Sequence, residues 1–270
     1  MILYFLISEG TPALFDVPLS NLFSERWYPI EAYYGILPLI LGSLVVTLGA
    51  TLFAVPLGVL TAIYIAEIAP AWAREILKPL VELLAGLPSV VLGFLGILIL
   101  SPFLRDTFHL PTGLTALTGS ILLGMTAIPT IVSISEDALK NVPETYRHGS
   151  LALGVTRWQT IWGVTLPAAR SGILTAIMLG VGRTIGETMT VMMVTGNAPV
   201  MPSSLNVLFM PIRTMTATIA SEMGEVAAGS PHYHVLFFIG MVLFFFTLIV
   251  NIIASNISFK HIKRSERILS

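Results

Sequence analysis

The chain has no cysteine among its 270 residues. This excludes disulfides, thiolate metal sites and thiol nucleophiles, and decides no compartment. Charge is scarce as well: Asp, Glu, Lys and Arg make up 11% of the chain, against roughly 25% in soluble domains. No Gly-Lys-Ser/Thr context surrounds Lys78, Lys140, Lys260 or Lys263, so the chain lacks a P-loop. H-E-x-x-H and G-x-S-x-G are missing too, which sets aside the intramembrane hydrolases that those motifs mark.

What the chain has instead is long apolar runs and a mean hydropathy of +0.87. They lie at about Ile36 to Ala66, Leu80 to Phe103, Leu114 to Ile134, Ile173 to Val194 and Val235 to Ile257, each long enough for a helix to cross the hydrocarbon core. The opening MILYFLI, residues 1–7, is apolar but too short to span. It reads as the partial end of a first helix or as a cleaved or interfacial segment, and the missing basic stretch before it argues against a signal peptide. The expected fold is an all-α polytopic membrane protein, a single domain over 1–270 with five full transmembrane helices and a partial N-terminal sixth.

Ten of the 14 Lys and Arg fall in three places: Arg74 and Lys78; Lys140, Arg147, Arg157 and Arg170; and Lys260, Lys263, Arg264 and Arg267. These segments alternate with the spans so as to share one side, which the positive-inside rule makes cytoplasmic. The C-terminus is then expected inside and the 195–234 loop outside, the latter with Ser204 on the outer surface. Trp27, Tyr28, Tyr33 and Tyr34, just before an apolar run, read as an interfacial anchor. His232 and His234 have no metal-ligand spacing and read as surface residues. Pro56, Pro88 and Pro129 are expected inside spans, where each removes a backbone donor and favours a kink.

Arg183 and Glu187 stand four apart inside the Ile173 to Val194 run. On one continuous helix they would stack on one face. An intramembrane Arg costs from about 2.5 to over 10 kcal/mol depending on the scale, so the pair is read as the centre of a substrate pathway. A guanidinium fork suits the oxygens of an oxyanion, and the Glu can hold the fork or compete for it; the plainer alternative is an ion pair that locks two helices. Gly182 and Gly186 form a G-x-x-x-G on the same stretch, which permits close helix packing within this chain or with another.

Residues 136–170 form the longest expected cytoplasmic connection. Pro143 followed by Glu144 reads as a helix start, and Gly154 stands where that helix can end with a left-handed residue. Trp158 to Leu166 is amphipathic, and Pro167 is read as introducing the next span. Leu151, Leu153 and Val155, near Ala152, are apolar in a segment with no lipid to cover them, which predicts a docked partner.

This stretch resembles the coupling loop of ABC importer permeases, with Gly154, Val164, Leu166 and Pro167 at the expected positions and His148, Gly149 and Ser150 replacing the usual EAA triplet. Within those permeases GILPLILGSLVVTL, AVPLGVLTAIYIAEIAP, VELLAGLPSVVLGFLG, GRTIGETMTVMMVTGN and ASEMGEVAAGSPHY resemble the C-type permeases of the phosphate-specific transport systems. The resemblance implies a type I ABC importer permease-like helical bundle in the bacterial cytoplasmic (inner) membrane, among membrane lipid. It implies half of a pathway for inorganic phosphate, paired with an A-type sister permease and supplied by a periplasmic or lipid-anchored phosphate-binding protein. Two copies of a cytoplasmic P-loop ATPase would drive it, with ATP and Mg on that partner, no cofactor or metal on this chain and no nucleic acid. It places Arg183 and Glu187 in transport and Leu151, Ala152, Leu153, Gly154, Val155, Leu166 and Pro167 in ATPase coupling. A stand-alone secondary transporter or channel for an anion is the alternative, with the charged pair as its ion site.

Overall fold

Among the described residues of the computed structural model, five helices are long and apolar enough to cross a membrane: Leu37–Ile68, Ser89–Phe108, Ala116–Lys140, Arg157–Gly186 and Pro231–Ile253. They are called the first to fifth spans below. The structure describes residues 1–202 and 206–269, beyond 253 the helical backbone only. Ser204 and the side chains of Lys260, Lys263, Arg264 and Arg267 therefore lie outside the described residues. The opening segment is a helix over Ile2–Gly10, nine residues long, short of the roughly 20 that a span requires.

The first span shows how these helices are built. Val46, Ala50 and Ala54, at spacings of four, are buried, while Leu48, Leu52 and Leu60 are exposed. Small side chains thus face protein and large apolar ones face outward, the arrangement that suits a helix surrounded by lipid.

Two expected spans are corrected. The second span begins at Ser89, not Leu80, because Leu80 to Gly86 belong to a separate amphipathic helix, Ala71–Gly86, which stops before Pro88. Pro88 therefore caps a helix rather than kinking one, whereas Pro56 and Pro129 do lie inside helices. The fourth span begins at Arg157 and ends at Gly186, so the expected helix through Val194 is broken, and Met189–Val194 is a short helix of its own.

Pro167 does not open the fourth span but sits within it. A π-helical turn over Ile161–Thr165 precedes it, with the Leu166 amide bonded to the Ile161 carbonyl. Similar turns over Tyr64–Ile68 and Gly96–Leu100 precede Pro70 and Pro102. In all three cases the proline stands two residues beyond the turn. Within a continuing helix, as at Pro102 and Pro167, a proline cannot bond the carbonyl four residues back and clashes with it, and the wider turn moves that carbonyl aside; at Pro70 the helix has already ended, Ala69 being extended. Where the carbonyl is Ala66, the Arg74 guanidinium donates to it at 3.2 Å.

The chain divides into two compact units. One comprises Met1–Ala50, Pro88–Gly124 and Thr184–Ile249; the other comprises Thr51–Leu87, Met125–Arg183 and Val250–Ser270. In the first unit a two-stranded hairpin pairs Trp27 with Tyr34, and both rings are buried against Leu39, Met215 and Leu236. The anchor reading is thereby corrected for those two rings; Tyr28 and Tyr33 remain exposed. Burial also pushes the Tyr34 phenol above its ordinary value. Elsewhere in this unit Gly196, at φ +79, has the Leu114 carbonyl where a Cβ would stand, which accounts for glycine in the GN pair.

In the second unit Ala62, Ile65, Val132, Leu139, Ile161 and Ile173 share a core. Gly58 and Gly180 both rest on Ile131, which a built Cβ at either would meet within 2.7 Å. The first and fourth spans thus approach the third through glycine. Glu136 is buried in the third span and pairs with Lys140 and, at 3.8 Å, with Lys78.

Candidate translocation and coupling sites

Arg183 lies in the last turn of the fourth-span helix. Its Nη1 donates to the Thr130 hydroxyl at 3.4 Å, and the residue is exposed. Among the described residues this one long bond uses little of a group with five donors, which leaves the guanidinium ready for an acceptor from outside the chain. Gly182 is 4.0 Å from the nearest side-chain oxygen, that of Asn251, measured from a built Cβ, and Gly186 has nothing within 4 Å. Among the described residues, no helix packs closely on this G-x-x-x-G.

Glu187 follows the helix end instead of continuing it. Its carboxylate accepts the Thr190 amide at 3.4 Å, and its carbonyl accepts the Thr216 hydroxyl at 3.3 Å. A carboxylate bonded to the first turn of Met189–Val194 is favoured by the partial positive charge there, and that local bond competes with helix continuation. Arg183 and Glu187 therefore do not stack on one continuous helix face. Within its own unit Glu187 lines a cleft with Ser43, Thr47, Thr184, Thr214 and Thr216, of about 10 Å³. That volume holds about one water and does not admit a tetrahedral oxyanion.

The connection between the third and fourth spans contains the expected helix, Glu144–Ala152, beginning after Pro143. Gly154 is left-handed at φ +80, as a helix stop there requires. Thr156 and Gln159 then form a capping box that starts the next helix. Leu153 is 85% exposed, and Leu151, Val155, Trp158 and Trp162 are exposed too. Ala152 and Pro167 are also on the surface, whereas Leu166 packs against the core. The two indoles, which carry no motif in the sequence, meet edge to face at 5.7 Å.

A further polar cluster was not expected from the sequence. One oxygen of Glu222 accepts from Arg213 Nη2 at 2.7 Å and from the Trp27 indole at 3.1 Å; the other meets His232 Nε2 at 2.8 Å. His234 Nδ1 is 2.6 Å from Asp16 Oδ2. Both histidines are thus partly buried in pairs with carboxylates, which corrects their reading as surface residues.

Comparison with known proteins fits this architecture. Residues 54–265 match the binding-protein-dependent transport system inner membrane component family. The chain is 43% identical over 245 residues to a probable ABC transporter permease protein, YqgH, of Bacillus subtilis, covering 88% of this chain and 78% of that protein. It is 36% identical over 268 residues to the phosphate transport system permease protein PstC of Mesorhizobium japonicum, covering 92% and 81%. Among solved structures, it resembles a chain of the MetNI methionine ABC transporter with a TM-score of 0.62 at 18% identity, covering 87% and 99%. A chain of a bacterial alginate ABC transporter matches with a TM-score of 0.61 at 16% identity, covering 96% and 92%. These two likenesses establish the type I importer permease fold. The chain belongs to the family of binding-protein-dependent transport system inner membrane components, as a multi-pass permease that forms part of a pore rather than an enzyme and works with an ATPase and a substrate-binding protein.

Proposed function

We propose that this chain forms half of a translocation pathway for inorganic phosphate, with a sister permease supplying the other half. The observation that carries the reading is Arg183: an exposed guanidinium on an apolar helix, held by one long bond to Thr130. Such a group offers a planar fork to an oxyanion. The phosphate transport permeases among the relatives support the choice of anion. Glu187 tunes the path and keeps binding weak enough for release. Residues 136–170 and the C-terminus face the cytoplasm, where two ATPase copies bind ATP and Mg and dock on Leu151 to Val155. A periplasmic or lipid-anchored binding protein delivers phosphate to the opposite face.

The test is uptake of radiolabelled phosphate into proteoliposomes that contain this chain, the sister permease, the ATPase and the binding protein. ATP-dependent uptake that unlabelled phosphate suppresses and sulfate does not is the expected result. Suppression by sulfate, or uptake without the ATPase, would overturn the reading.

A further inference from the structure

Of the nine residues in the Glu144–Ala152 helix, Ser150 alone is buried. Gly149 has nothing within 4 Å of a built Cβ. A helix packed so lightly cannot pass a displacement to the spans by apolar contact, since tight packing is what transmits strain through a protein interior. Polar contacts have to do it, and Arg147 makes most of them.

The Arg147 side chain is 23% exposed. Its Nη2 donates to Glu67 Oε1 at 2.7 Å and to the Leu139 carbonyl at 2.8 Å, and its Nη1 donates to the Val142 carbonyl at 3.3 Å. Glu67, 10% exposed, lies in the π-helical turn that ends the first span. Leu139 is in the last turns of the third span, and both Leu139 and Val142 belong to the core of this unit. One side chain thus joins the short helix to the ends of two spans. A second link, Ser150 Oγ to Thr160 Oγ1 at 2.9 Å, joins it to the start of the fourth. The Arg147–Glu67 pair also lines a cleft of about 230 Å³ with Glu144, His148, Leu151 and Arg157, so whatever docks on the exposed leucines sits directly beside it.

We propose that Arg147 and Glu67 form a clamp that transmits displacement of the Glu144–Ala152 helix to the first and third spans, which makes Arg147 a positioning residue for energy coupling. The inference rests on the reading above that an ATPase docks on this segment. The planar fork is the essential element, because lysine brings the charge without reaching three acceptors in fixed directions.

The experiment uses the complete transporter in proteoliposomes, with Glu67→Gln, with Arg147→Lys, and with the pair Glu67→Cys and Arg147→Cys. The chain has no cysteine of its own, so the introduced pair is unique within it. Two quantities are read: ATPase retained on purification, and solute imported per ATP hydrolysed. Both single variants should keep the ATPase and lose at least tenfold in solute per ATP. The cysteine pair should behave like them until joined by a short cleavable bis-thiosulfonate linker, which should restore the ratio to within about threefold, and reduction should abolish it again. Should Arg147→Lys fail to assemble, Glu67→Gln decides, since it keeps the shape and one acceptor oxygen. An unchanged ratio with the ATPase retained overturns the clamp and leaves docking standing. Loss of import only in proportion to lost assembly also overturns it, as the mark of a folding role. An unmodified complex that does not hold the ATPase overturns docking and clamp together.

Discussion

Arg213 and Glu222 meet at 2.7 Å with 15% and 17% of their side chains exposed, and Glu222 collects the Trp27 indole and His232 at the same carboxylate. The ASEMGE stretch therefore serves as a tie between distant loop segments of its unit. Removing one member of such a buried pair leaves its partners unsatisfied, at a cost of about 3 kcal/mol.

Glu222→Ala should therefore lower the melting temperature of the purified complex clearly more than Trp27→Phe, which removes a single hydrogen bond to a charged group, about 1.5 kcal/mol. Differential scanning fluorimetry in detergent reads both. Equal melting of Glu222→Ala and the unmodified chain would show that the tie carries no stability.

For Arg183 the expected result is loss of uptake without loss of assembly. Arg183→Gln keeps some hydrogen bonding but lacks the charge and the fork, so transport should drop by about tenfold or more while binding-protein docking is kept. Glu187→Gln should be harmful as well. The double change at 183 and 187 separates two roles, because a structural lock is rescued when both charges are removed together. Uptake near the unmodified level in the double variant would refute the pathway role.

Orientation is read by labelling, again helped by the missing cysteines. Ala228→Cys, exposed before the fifth span, should react with an impermeant maleimide added to intact cells. Leu153→Cys, at a position 85% exposed, should react only after the cells are opened, as the distribution of basic residues requires. The opposite pattern would reverse the sidedness and move the docking segment to the wrong face.

The number of spans was legible because apolar length is a local property, and Pro143 and Gly154 marked their helix start and stop by backbone chemistry alone. The ends of the fourth span were not. At one end Pro167 reads as punctuation until the π-helical turn before it is seen to absorb the clash. At the other, the break depends on the Glu187 carboxylate choosing the Thr190 amide. Trp27 looked like a membrane anchor because nothing local reveals a partner 195 residues away in Glu222. Arg147 and Glu67, 80 residues apart, were hidden for the same reason.

The two π-helical turns that lie inside continuing helices, Gly96–Leu100 and Ile161–Thr165, have a geometric result of their own. Each holds one residue more than an α-helical course would, and one residue corresponds to a rotation of about 100° about the helix axis. Side chains beyond Thr165 therefore point elsewhere than the pattern before Ile161 foretells, without any loop to announce the change. A single unbroken rod can then show Trp158 and Trp162 to one environment and Gly180, which rests on the third span, to another.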